Sequence, residues 1–173
     1  MKLKKIIINT VIIFLFGFIF HNLFKYLPIF PVSIISPVNE SIFEHMKMIY
    51  TSYIFFILFI YLFYKKKPNN YILSNTLSSI INIIIFLILY LPVYKLFGEN
   101  LILTLILYFI SIFITSFIKE KIENKKDNRK LNLLSIMIII FIYIIFGILT
   151  YFPIKASFFM DPLNNTYGIY KVK

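Results

Sequence analysis

The stretch Pro37 to Lys47, PVNESIFEHMK, packs Glu40, Glu44, His45 and Lys47 into a chain that has few other ionisable residues away from its lysine runs. Carboxylate oxygens and imidazole nitrogens suit zinc or another divalent ion, and the absence of cysteine removes thiolate sites, disulfides and thiol nucleophiles together. His21, His45 and Asp161 are the candidate metal ligands, with one of Glu40 or Glu44 completing the set. An ion held there would lower the pKa of its water towards ~7, with Glu44 or Glu40 as general base and Lys47 holding an anionic head group. The competing reading is structural: Glu44 and Lys47 are spaced to pair along a helix, and both acids suit a helix N-terminus. Because the ligands come from three separate segments, distance decides. Donor atoms converging within ~4 to 5 Å would allow a ~2.0 to 2.2 Å coordination sphere after modest relaxation.

What positions these residues is a membrane. The 173 residues are 60% hydrophobic and 20% aromatic with only 14% charged, outside the usual range of soluble domains. Five apolar segments stand out, at about 6–27, 41–64, 71–97, 101–118 and 131–152. Each can cross a hydrocarbon core of ~30 Å at 1.5 Å per residue. They lack the alternating pattern of a membrane barrel, so helices are expected, since these satisfy their backbone groups internally. The expected fold is all-α and polytopic: one membrane domain over 1–173, with a tail at 153–173. The first segment is too long for a cleaved signal and is expected to stay as a helix.

The net charge of +11 comes from lysines at the ends of the apolar segments, where they orient a membrane protein. Nucleic acid is not an expected partner; the lipid bilayer is. Twelve Lys and Arg residues flank the first span and fill the second and fourth loops, against six on the opposite side, Lys25, Lys47, Lys95, Lys155, Lys171 and Lys173. This bias predicts the N-terminus inside and the C-terminus outside.

Ser36-Pro37 reads as the start of the second helix, with Asn39 as the alternative cap. Winding from there at ~100° per residue gathers Glu40, Ser41, Glu44, His45 and Lys47 on one arc that continues through Thr51 and Ser52. The resulting stripe reaches ~18 Å inward and should face the bundle or a wet cavity. His21 lies one turn after Gly17, whose missing side chain permits close helix approach. On the third span Ser74, Asn75, Ser78, Ser79 and Asn82 share a side, and Thr104, Ser111 and Thr115 do so on the fourth; both read as packing stripes, the former also as lining for a path. The inner run from Lys119 to Lys130 reads as a solvated helix end or connector. The tail SFFMDPLNNTYGIY has turn formers among aromatics and should fold back over the mouth of the bundle.

Pro37 to Ser41, Phe43, Glu44, His45 and Lys47, with His21 before them and Asp161-Pro162 and Tyr167-Gly168-Ile169 after, resemble the pattern of a family of small bacterial integral membrane proteins of unknown function. Phe43 stands where that pattern has tryptophan. The resemblance implies a multi-pass protein of the bacterial plasma membrane whose marked polar residues belong together, and it implies no activity. A looser likeness to membrane hydrolases of the alkaline ceramidase type implies a metal bound by His and Asp at one face, although those proteins have more spans and a third histidine. Three functions follow as expectations. The first is a metal-dependent hydrolase of a lipid or envelope substrate. The alternatives are a small transporter or ion-coupled carrier for a small molecule, and a noncatalytic membrane subunit.

Overall fold

The computed structural model describes residues 3–98 and 100–169. Lys2, Lys171 and Lys173, three of the charges counted above, lie outside the described residues. Six α-helices follow one another: α1 (Leu3–Tyr26), α2 (Phe30–Ile35), α3 (Ile42–Phe63), α4 (Tyr71–Phe97), α5 (Leu101–Glu123) and α6 (Arg129–Tyr151). All but the short α2 are long and apolar enough to cross a membrane. Many large apolar side chains on their flanks are exposed, Ile88, Leu101, Met137 and Phe141 among them. In water such faces would drive aggregation; in a bilayer they are the lipid-facing surface.

Four helices close a ring, α1 against α3 and α5, and α4 against α3 and α5. The core inside it combines Ile13, Phe20, Tyr53, Phe56, Phe86, Tyr108 and Ile112. α6 packs outside this ring on α4, α2 and α3, where Phe146 meets Phe43 and Tyr50. Gly17 lets α1 and α5 approach closely: a Cβ there would stand 2.6 Å from the Tyr108 hydroxyl.

The chain between α1 and α3 departs from the expected single entry. Ser36 ends α2 instead of starting α3, and its hydroxyl bonds the Phe20 carbonyl at 2.5 Å and the Phe24 amide at 3.1 Å, tying the loop to α1. α3 starts only after Ser41, whose side chain accepts from the Glu44 amide at 3.3 Å, while the Asn39 side chain accepts from the Ser41 amide at 2.9 Å. Ser41 outcompetes Ser36 because Ser41-Ile42-Phe43-Glu44 is a Ser-x-x-Glu sequence, the pattern of a capped helix start. α5 likewise runs five residues beyond its expected end, to Glu123.

After α6 the chain turns back through a 3-10 turn at Ser157–Phe159 and a two-residue hairpin pairing Met160–Asp161 with Thr166–Tyr167. Phe159 packs on Phe43 with ring centroids 4.8 Å apart, and the Gly168 carbonyl accepts from the Asn39 side chain at 3.0 Å. Gly168 has φ +64°, and a Cβ on it would stand 2.5 Å from the Thr150 carbonyl, so only glycine fits this return onto α6.

Candidate functional site

His21, near one end of α1, and His45, in the first turn of α3, meet at that end of the ring. Their Nε2 atoms are 3.2 Å apart. Glu40, in the loop just before the Ser41 cap, brings Oε2 to 3.4 Å from His45 Nε2 and 3.7 Å from His21 Nε2. Among the described residues these three form a group of metal-ligating side chains whose donor atoms all lie within 4.8 Å of one another. Two ligands ~2.05 Å from an ion at a tetrahedral angle stand ~3.3 Å apart, so the spacing needs only tenths of an ångström of adjustment to close on zinc. Two histidines, one glutamate and an open fourth position is also a donor set that catalytic zinc uses.

His45 is oriented from behind. Its Nδ1 lies 3.0 Å from the Ser41 carbonyl, which can only accept, so Nδ1 carries the proton and a neutral ring turns the Nε2 lone pair towards Glu40 and His21. A carboxylate oxygen and two imidazole nitrogens facing one point require positive charge among them, as a proton or as a cation. With a second proton on Nε2, the His45 ring instead donates to the Glu40 carboxylate and holds it below the usual carboxylate range, outweighing the partial burial that pushes it up.

Glu44 and Lys47, sequence candidates for general base and head-group cation, lie elsewhere. Both side chains are sealed, at 2% and 0% exposure, with Nζ 2.5 Å from Oε2. Lys47 also donates to the Ser33 carbonyl at 2.7 Å and to Thr150 Oγ1 at 2.8 Å. Glu44 accepts from the Thr150 hydroxyl at 3.3 Å and from the Val38 amide at 2.9 Å. The expected polar arc of α3 therefore divides into two faces. Glu44, Lys47 and Thr51 turn towards α2 and α6, where Tyr143 bonds Thr51, whereas His45 and Ser52 turn into the ring, where Tyr108 bonds Ser52. Positions i, i+3 and i+7 share a face, and the two series start one residue apart. Asp161 is buried but engaged within its own turn, accepting from the Leu163 amide at 2.9 Å and the Asn164 side chain at 3.0 Å. The converging carboxylate is that of Glu40.

A cavity of about 740 Å³ opens beside the three donors inside the ring. His21, Glu40 and His45 line one part of it, and Met48, Phe86, Leu105 and Tyr108 line another. Phe158, Met160 and Pro162 of the returning tail contribute to its wall.

A second charged cluster, unexpected from sequence, lies at the opposite end of the ring. Lys5 Nζ is 2.6 Å from Glu120 and 2.8 Å from Glu123, Lys119 Nζ is 2.5 Å from Glu123, and the Ser74 hydroxyl donates to Glu123 at 3.2 Å. Lys119, expected to be solvated, is fully buried over the Phe56 ring. Its i, i+4 spacing to Glu123 was the available signal.

Five long apolar helices carrying lipid-compatible faces are the build of a helical membrane protein. A family model described as a family of unknown function, DUF6512, matches residues 1–169, and the chain belongs to that family. No curated protein and no solved structure matches it.

Proposed function

We propose that His21, Glu40 and His45 hold a divalent cation, zinc fitting best, and that the protein is a membrane-embedded hydrolase acting on a lipid or envelope substrate. The observation that carries this reading is the convergence of two Nε2 atoms and one carboxylate oxygen at 3.2 to 3.7 Å beside a cavity lodged among membrane helices. An ion there would supply a polarised water as nucleophile at neutral pH. Hydrolysis divides that water between the two halves of the substrate. Glu44 and Lys47 serve as a brace: Glu44 grips the Val38 amide and thereby holds the loop that carries Glu40. The excess of Lys and Arg in the other loops supports an outward-facing metal end.

Metal analysis after mild detergent extraction tests the site. One zinc per chain is expected, and Glu40→Gln and His45→Ala should each lower affinity by more than the roughly 10- to 100-fold that loss of a supporting hydrogen bond causes. Zinc binding that survives in both variants would remove the assignment. Zinc-dependent release of product from bilayer lipid extracts, abolished by chelation, is the expected activity.

A second reading, an ion-coupled carrier, draws on Asn82, whose side-chain oxygen and nitrogen are both buried without a hydrogen-bond partner midway along α4. With Asn75 and Ser78 it marks a polar seam leading from Ser74 and Glu123 into the ring. Cation uptake into proteoliposomes that falls in Asn82→Leu would support it, and uptake unchanged by Glu40→Gln would count against it.

A further inference from the structure

We infer that the cavity takes the hydrocarbon part of a single bilayer lipid, with the lipid's polar end at His21, Glu40 and His45, and that Gly17 and Tyr108 set how much chain it accepts. The substrate class rests on the metal reading above; the chain site rests on separate observations.

Its polarity is graded. His21, Glu40 and His45 sit together by the α3 start, whereas Met48, Phe86 and Tyr108 lie deeper in the spans. From Tyr94 to Phe86 the α4 wall covers eight residues, ~12 Å of depth at 1.5 Å per residue. A pocket of about 740 Å³, lined mostly by apolar and aromatic side chains with three ionisable groups converging at one end, has the size and character of a small-molecule site. The surroundings favour a lipid over a water-borne ligand. Leu91 and Leu101, in the cavity wall at the α4–α5 corner, are 43% and 71% exposed on helices that face hydrocarbon, so a chain can enter without crossing water. Phe158 and Met160 of the tail cover the metal end with apolar surface.

Gly17 and Tyr108 belong to this lining, and they are matched to each other. A Cβ on residue 17 would stand 2.6 Å from the Tyr108 hydroxyl and 2.7 Å from its ring edge, too close for the ring to stay. The ring packs against Phe14 on one side and Phe86 on another, with a bond to Ser52, so the open space for it is the cavity. Gly17→Ala therefore shortens the cavity from within. Phe86→Ala enlarges it. Gly147, on α6 beside Ile34, gives the control, because a Cβ there meets only ordinary contacts at 3.8 Å.

The experiment is displacement of a fluorescent fatty acid from the full chain in detergent, by saturated fatty acids of increasing length, with zinc affinity measured on the same samples. In wild type, affinity should rise with chain length until the chain fills the cavity and then level off. Gly17→Ala should level off at a shorter chain and Phe86→Ala at a longer one, while Gly147→Ala matches wild type. Unchanged chain-length profiles in Gly17→Ala and Phe86→Ala, with zinc still bound, would overturn the inference and leave the metal site standing. Shifted profiles in protein that binds no zinc would uphold the chain site and overturn the hydrolase reading.

Discussion

The two ends of the helix ring both bury glutamates, and they satisfy them differently. At the Lys5 end, Glu120 and Glu123 face Lys5 and Lys119, so two carboxylates meet two ammonium groups and a serine hydroxyl completes the set. At the His21 end, Glu44 is matched by Lys47, but Glu40 faces two imidazoles and a cavity. The first cluster is electrically closed; the second has lone pairs left over. Buried charge in an apolar chain is therefore not by itself a sign of function. Donors converging without an internal cation are the more telling feature.

The comparison breaks most visibly under truncation of its closed pairs. Lys47→Met strands Glu44 among α2, α3 and α6 and should cost about 3–5 kcal/mol of stability, and Lys119→Met, which leaves Glu123 with Lys5 and the Ser74 hydroxyl, should cost less. Thermal unfolding in detergent reads this. Replacing both members of the Glu44–Lys47 pair by apolar residues of similar volume should recover much of the loss in stability. It should weaken zinc binding, because the Val38 amide then loses its acceptor.

Zinc sharpens the contrast from the other side. At ~100 times its dissociation constant it should stabilise wild type by about 2.7 kcal/mol and His45→Ala hardly at all, while Lys119→Met keeps the full increment on its lower baseline. A zinc increment that vanished in Lys119→Met would show that the two ends are not independent. The smallest effect is expected at the cap: Ser41→Ala should cost about 1 kcal/mol through the lost bond to the Glu44 amide, and should weaken zinc by loosening the loop that bears Glu40.

Much of this was legible in the residues. The spans were, because uninterrupted apolar length reports a bilayer whatever the partners of each helix. Gly17 beside His21 signalled close packing, and Tyr108 fills that space. The meeting of His21 and His45 followed from placing both at one membrane face. Three things were hidden. Lys119 looked solvated, because a charge run does not reveal that α5 continues past its apolar stretch and brings Lys119 and Glu123 under Lys5 and Ser74. Asp161 looked available, but a carboxylate in a Met-Asp-Pro turn can be consumed by the turn itself, as the Leu163 and Asn164 bonds show. Winding from Ser36 puts Glu40 on a helix that begins only after it, at the Ser-x-x-Glu cap of Ser41.

The bond from Asn39 to the Gly168 carbonyl joins positions 129 residues apart in the chain. At ~5 to 20 residues per second of synthesis, Gly168 is made roughly 6 to 26 seconds after Asn39. Throughout that interval the histidines of α1 and α3 already exist without the tail that will cover them. During biogenesis the site thus has a stage without the tail, before Phe158, Met160 and Pro162 complete the cavity wall.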